Sequence, residues 1–234
     1  MNHGKLYGVG VGPGDKELVT LKALRVLKEA DIIMIPVTKN GGRTAYDIVA
    51  EYLEGKTVIE TKSPMTKDYA KLRENYEKIA EEVEKYIKDG KKVAFITIGD
   101  PTIYSTYIQL HEIVKNHGFE TEIIPGVTSF CAAAAELGMS LCEREEVLTV
   151  IPSNYKDIRE ELKRSGTKVL MKANSAILDV RDVLREENMM NQAVMVEKCG
   201  MSDQKIYRDL NELEEQTSYF STIIVTDRKS EDDK

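Results

Sequence analysis

The sequence predicts an α/β fold built as two lobes. Three features carry that prediction: strand-like and helix-like stretches alternate from end to end, three strands end on glycine-containing turns, and 234 residues suffice for two small cores. Residues 5–11 alternate and carry β-branched and aromatic side chains, which reads as a first strand running into the turn "GPGD". Leu18, Leu21, Leu24, Val26 and Leu27 then recur at helical spacing through Glu29, with Glu17 in the first turn, where a negative charge suits the helix dipole. "DIIMIP" reads as a short buried strand stopped by Pro36, and a loop over 39–44 leads into a helix over 45–53. A brief strand surrounds Val58 and Ile59. Residues 68–88 place Leu72, Tyr76, Ile79, Val83, Tyr86 and Ile87 on one face of a long amphipathic helix. "KKVAFITIG" is the next strand and 108–115 the next helix. After "HGFE" the pattern restarts with the strand and turn "TEIIPG" and a helix over 129–137. Further strands are expected at 147–151, 169–171, 193–196 and 219–225, with helices near 155–164 and 177–187. Parallel strands with right-handed crossovers are expected in the first half. The boundary is placed between Asn116 and Pro125, giving an N-terminal α/β domain over 1–118 and a C-terminal one over 119–234.

Composition narrows the function. Hydrophobic residues make up 41% and charged residues 31%, and no apolar run approaches the ~20 residues that span a bilayer, so a soluble protein is expected. "MNHGKLYGVGVG" enters a strand at once and lacks the apolar core and small-residue cleavage site of a secretion signal, which favours a cytoplasmic location. A net charge of −7 argues against a nucleic-acid partner, since such proteins carry a basic face for phosphates. Cys131, Cys142 and Cys199 are widely spaced and unpaired, and are expected to be buried free thiols. His111 and His117 are not at the i, i+4 spacing of a helical metal pair, so no protein-built metal site is expected.

Chemistry in an open α/β sheet gathers beyond the carboxyl ends of the strands, where backbone amides and helix N-termini converge. Three turns fall there: "VGVGPGD" at 9–15, "IGDP" at 98–101 and "PGVTSF" at 125–130. Glycine permits close backbone approach and proline stiffens the turn. The first turn fails the dinucleotide fingerprint, because the third glycine of GxGxxG would fall on Pro13 or Asp15, and Asp31 precedes the second strand rather than following it. No GxxxxGK[ST] loop occurs. Asp100 has two readings: a carboxylate that meets a bound ligand, or a turn residue that satisfies its own backbone.

"YGVGVGPGD", "LVTLKALRVLKEADII", "GDP" and "PGVTSF", in this order across the chain, resemble the tetrapyrrole methylases. Within that family, "GDPTIYST", "PGVTSF", "VLMK" and "YFSTIIV" are most similar to the enzymes that methylate carbon 20 of precorrin-2 or cobalt-factor II in cobalamin synthesis. The resemblance implies a two-domain α/β homodimer that holds S-adenosylmethionine in the cleft between its lobes. It implies cofactor contacts from Pro13, Ile98, Gly99, Asp100, Ile103, Thr128 and Ser129, and from Met171, Lys172 and Gly200 in the second lobe.

A sulfonium methyl is already activated, so an electron-rich carbon can take it in line, without a metal or a nucleophilic side chain. Asp100 and Tyr104 are the candidate acceptors of the proton that leaves carbon 20. The substrate carries many carboxylates, so an acidic protein must gather positive charge locally. Arg43, Arg144 and Lys172 are the principal candidates, with Lys39, Lys62 and Lys67 beside them. Methylation of another macrocycle position, or of a diphthamide precursor, is the alternative within the family. A nucleotide-binding module without catalysis is the alternative outside it.

Overall fold

A computed structural model describes residues 4–37, 42–62, 68–173 and 176–227. The chain divides into two compact units between Thr128 and Ser129. The division falls later than the boundary expected after residue 118, because the strand Thr121–Ile124 pairs with the first strand of the chain.

In the first unit the elements are β1 (Lys5–Gly10), α1 (Leu21–Glu29), β2 (Ile32–Val37), α2 (Thr44–Val49), β3 (Thr57–Lys62), α3 (Tyr69–Lys88), β4 (Lys92–Thr97), α4 (Tyr107–Asn116) and β5 (Thr121–Ile124). The sheet order is β3-β2-β4-β1-β5, and every pairing is parallel. Side chains alternate across a strand, so each strand feeds two cores. Val9, Ile33, Ile35 and Ile96 pack with Val26 and Leu27 of α1 and with Ile48 and Val49 of α2. Leu6, Met34 and Phe95 face the other way, onto Tyr76 and Val83 of α3 and Leu110 and Val114 of α4. Burial on both faces accounts for the unbroken apolar runs of β2 and β4.

Two local expectations change. Asp15 accepts from Glu17 N–H at 2.8 Å and caps a separate 3-10 turn over Lys16–Leu18, while Thr20 accepts from Ala23 N–H at 3.1 Å and caps α1. The helix therefore starts at Leu21, which is 86% exposed, and Glu17 lies outside it. Pro36 does not stop β2: it pairs with Thr61 of β3, past Met34, where pairing with β4 ends, so its missing N–H breaks no ladder there.

Glu122 of β5 holds this unit together at its surface. Its carboxylate meets both Lys5 of β1 and Lys22 of α1 at 2.8 Å. Those hydrogen bonds, Lys22's first and then Lys5's, hold the carboxyl down to about 2 from an ordinary 4.5. A depressed folded value stabilises above the unfolded value and is lost as pH falls through the folded one. The stability of the protein is therefore expected to drop between about pH 4.5 and pH 2, and Glu122→Gln to flatten that drop in urea titrations.

The second unit contains α5 (Ser129–Leu137), β6 (Leu148–Pro152), α6 (Ile158–Leu162), β7 (Thr167–Met171), α7 (Ile177–Glu186), β8 (Ala193–Glu197), β9 (Lys205–Tyr207) and β10 (Ser221–Val225). Its sheet runs β6-β7-β10-β8-β9, parallel only between β6 and β7. Leu170, Met195 and Ile223 pack on one face with Leu162 of α6 and Val180 and Leu184 of α7. The edge strand β9 carries no run of apolar residues and has no counterpart in the sequence reading.

Lys168 of β7 is 1% exposed and pairs with Asp227 at 2.9 Å, whose side chain is 46% exposed. Removing the partner of a buried charge leaves that charge uncompensated. Asp227→Asn is expected to destabilise the protein by about 2 kcal/mol, below the range for a fully buried pair because water reaches Asp227. Lys168→Met, which removes the buried charge itself, is expected to cost less in the same denaturation experiment.

Candidate active site

The parallel register of the first sheet brings three strand ends level. Gly10 of β1 lies beside Thr97 of β4, and Val9 beside Ile124 of β5. The three glycine turns therefore leave the sheet side by side. Gly12 and Gly99 exchange backbone hydrogen bonds at 2.8 and 3.4 Å, and Val11 N–H donates to Thr97 O at 3.0 Å. A Cβ on Gly10 would lie 2.5 Å from Gly99 O and 2.7 Å from Gly126 N, and one on Gly126 would lie 2.1 Å from Gly99 O. No side chain fits at either position, and three distant segments of the sequence become one backbone surface.

Asp100 ties that surface together. It is 8% exposed, and its Oδ1 accepts from Thr102 N–H at 2.7 Å and from the Thr102 hydroxyl. Its Oδ2 accepts from Gly126 N–H at 2.9 Å, which joins the second turn to the third. Of the two readings of Asp100, the geometry favours the turn residue, extended by one bond across to a neighbouring loop. Tyr104 sits at φ 49° and is 40% exposed. Burial raises its phenol above the ordinary range, so it stays protonated at neutral pH.

The cofactor candidates of the first unit take different parts. Gly99 spends its N–H and C=O on Gly12, so it offers space rather than hydrogen bonds: the nearest atom to a Cβ there is Val127 O at 3.9 Å. Ile103 N–H is taken by Asp100 O at 3.3 Å. Pro13 is buried, and Ile98 packs against the core formed with α1 and α2. The Thr128 hydroxyl is buried with no partner among the described residues. A buried polar atom left unmatched at a strand edge is what a ligand-binding surface leaves behind. These residues fit a small polar ligand.

In the second unit, the ends of β7 and β8 and the start of β10 share one edge, since Met171 lies beside Thr222 and Glu197 beside Ser221. Ser153 donates from N–H and Oγ to Met171 O at 2.8 and 2.9 Å. Lys172 follows at φ 60°, with Nζ 5.7 Å from the centroid of the exposed Tyr219 ring. Gly200, at φ 76°, gives its N–H to Gln204 at 2.6 Å, and Gln204 donates in turn to Glu136 of α5 at 2.9 Å. The Ser129 hydroxyl accepts from Thr222 at 3.4 Å.

The basic candidates are spread over both units. In the first, Arg43 stacks 4.1 Å from the Tyr46 ring and reaches Glu60 at 3.4 Å. Lys62 ends β3 in an exposed position, and Lys39 and Lys67 lie outside the described residues. Arg144 is exposed in the second unit at φ 50°. Cys131 and Cys142 are exposed, against expectation, and only Cys199 is buried. His117 bonds Glu84 at 2.6 Å and His111 lies 3.3 Å from the Tyr107 hydroxyl, which occupies both in helix packing. Among the described residues, no group of three or more His, Cys, Asp or Glu could hold a metal ion. Tyr219 entered the sequence reading only within the "YFSTIIV" stretch and a strand, and Glu197 follows an apolar run that gives no sign of a buried acid.

An all-parallel sheet whose strand-end turns merge into one backbone surface, followed by a mixed second sheet, defines a class, and residues 5–214 match the family described as Tetrapyrrole (Corrin/Porphyrin) Methylases. The chain belongs to that family. It is similar to the probable cobalt-precorrin-2 C(20)-methyltransferase of Methanocaldococcus jannaschii, 43% identical over 172 residues, which are 73% of each chain. The cobalt-precorrin-2 C(20)-methyltransferase of Salmonella typhimurium is 32% identical over 229 residues, covering 95% of this chain and 96% of that one. Among solved structures, the fold is similar to uroporphyrin-III C-methyl transferase from Thermus thermophilus complexed with S-adenosylhomocysteine. The TM-score is 0.72 and the identity 22%, over 96% of this chain and 98% of that one.

Proposed function

We propose that this chain is an S-adenosylmethionine-dependent C-methyltransferase that methylates carbon 20 of cobalt-factor II, or of metal-free precorrin-2, in cobalamin biosynthesis. The observation that carries this reading is the meeting of the Gly10, Gly99 and Gly126 turns at one strand edge, beside the unmatched Thr128 hydroxyl. Support comes from the relatives named for carbon-20 methylation and from the S-adenosylhomocysteine bound in a protein of the same fold.

In this reading Thr128 donates its hydroxyl to the cofactor, Pro13, Ile98 and Ile103 line it, and Gly99 leaves room for it. Ser129, Met171, Lys172 and Gly200 are the second unit's contributions. The cofactor, when bound, supplies a methyl on a sulfonium that an electron-rich ring carbon can accept directly. The protein's part is to hold, align and exclude water. Asp100 acts by fixing two turns, and Tyr104 as a hydrogen-bond donor, which leaves the proton of carbon 20 to water. Lys172, Arg43 and Arg144 meet substrate carboxylates. The enzyme works in the cytoplasm as a homodimer, as the family resemblance implies.

Isothermal titration tests the cofactor assignment. S-adenosylhomocysteine is expected to bind with micromolar affinity, and mononucleotides not to bind. Binding of ATP without binding of S-adenosylhomocysteine would make the chain a nucleotide-binding module instead.

A further inference from the structure

Glu197 closes β8 and is 8% exposed, yet its two oxygens meet an amide and a phenol rather than a cation. Oε1 accepts from Ser218 N–H at 2.7 Å and Oε2 from the Tyr207 hydroxyl at 3.3 Å. Burying a carboxylate is costly unless its hydrogen bonds compensate, so a buried acid in this setting marks a place where geometry matters.

What Glu197 holds is a turn that is otherwise knitted mostly to itself. The Ser221 hydroxyl donates to Ser218 O at 2.8 Å and bonds Thr217 Oγ1 at 3.0 Å, and Phe220 N–H donates to Ser218 Oγ at 3.2 Å. The turn is tied to β8 by Glu197 at one point and by Lys198 N–H to Phe220 O, at 2.9 Å, at another. At its tip is Tyr219, 47% exposed, edge-on to Phe220 with centroids 5.5 Å apart and 5.7 Å from Lys172 Nζ. β10 starts between the ends of β7 and β8, so Glu197 braces the turn from one side while Lys172 meets its ring from the other.

We infer that Glu197 is a positioning residue: by accepting the Ser218 amide it fixes the turn over 217–221, and with it a flat ring beside an ammonium, ready for a planar polyanion. The inference rests on the reading of Lys172 as substrate-facing. Glu197→Ala removes the acceptor. Glu197→Gln keeps an oxygen for Ser218 N–H and can donate its amide to the Tyr207 oxygen.

Two readouts test it: kinetics with cobalt-factor II, and amide hydrogen exchange over residues 217–221. Glu197→Ala is expected to raise KM for the macrocycle about tenfold or more, with S-adenosylhomocysteine affinity held within about twofold. It is also expected to remove protection at Ser218. Glu197→Gln is expected to bring KM back to within about threefold of the parent and to restore protection. Unchanged exchange in Glu197→Ala overturns the bracing, whatever the substrate proves to be. Lost protection with an unchanged KM, or Glu197→Gln as impaired as Glu197→Ala, overturns the positioning role. If Glu197→Ala does not fold, Ser218→Pro deletes the same bond from the donor side, together with the Ser218 hydroxyl, and is read from the KM for the macrocycle and from exchange at the remaining amides of residues 217–221, with a raised KM and lost protection expected. Failure of the parent protein to methylate any tetrapyrrole would instead remove the functional reading, and the exchange result would still decide the bracing.

Discussion

Gly126→Ala is expected to weaken S-adenosylhomocysteine binding at least about a hundredfold and to destabilise the protein by about 3 kcal/mol, the upper part of the range for forcing atoms into a filled space. The added Cβ would lie 2.1 Å from Gly99 O and 2.9 Å from Gly10 C. Those are backbone atoms of two other turns, so no rotamer change relieves the clash. The turn must move away, which breaks the 2.9 Å bond from Gly126 N–H to Asp100 and opens the surface beside Thr128. Gly138→Ala is the matched control. That glycine has φ +67° and nothing within 4 Å of a Cβ, so its replacement strains one residue by about 1–2 kcal/mol and leaves binding intact. Calorimetric titration and urea denaturation of both variants check the pair. Retention of parental affinity by Gly126→Ala would mean that this edge does not form the cofactor surface.

Asp100→Asn is expected to cost the next most. The carboxylate receives two donors from Thr102 and one from Gly126, and an asparagine side chain has a single oxygen to offer. At least one buried donor then faces an NH2 group, a loss of about 1–3 kcal/mol in stability. Because the lost bond joins the second and third turns, S-adenosylhomocysteine affinity is expected to fall about tenfold. A proton-accepting role predicts a different pattern, with kcat reduced and that affinity unchanged. Parallel titration and steady-state kinetics separate the two.

Much of the fold was legible because its signals are local. The alternation of strands and helices follows from side-chain periodicity, and the three turns declare themselves by glycine and proline at strand ends. Signals that depend on distant partners were not legible. Residues 121–124 look like the start of a second lobe, and only their pairing with β1 assigns them to the first. Pro36 looks like a stop until the early end of the β2–β4 ladder is known. Lys168 and Glu197 sit in apolar runs where a charge suggests an exposed face, and their partners, Asp227 and the Ser218 amide, are many residues away. At the site, residue types drew attention to Asp100. Its task depends on which donors surround it, and the Gly126 amide lies a full crossover later in the chain.

The account turns on methyl transfer to one particular carbon. The most direct measurement is to incubate the purified protein with cobalt-factor II and S-adenosylmethionine labelled with carbon-13 on its methyl group, then to assign the product by NMR. The label is expected on carbon 20. A label on any other carbon, or none transferred to the macrocycle while S-adenosylhomocysteine still binds, would contradict it.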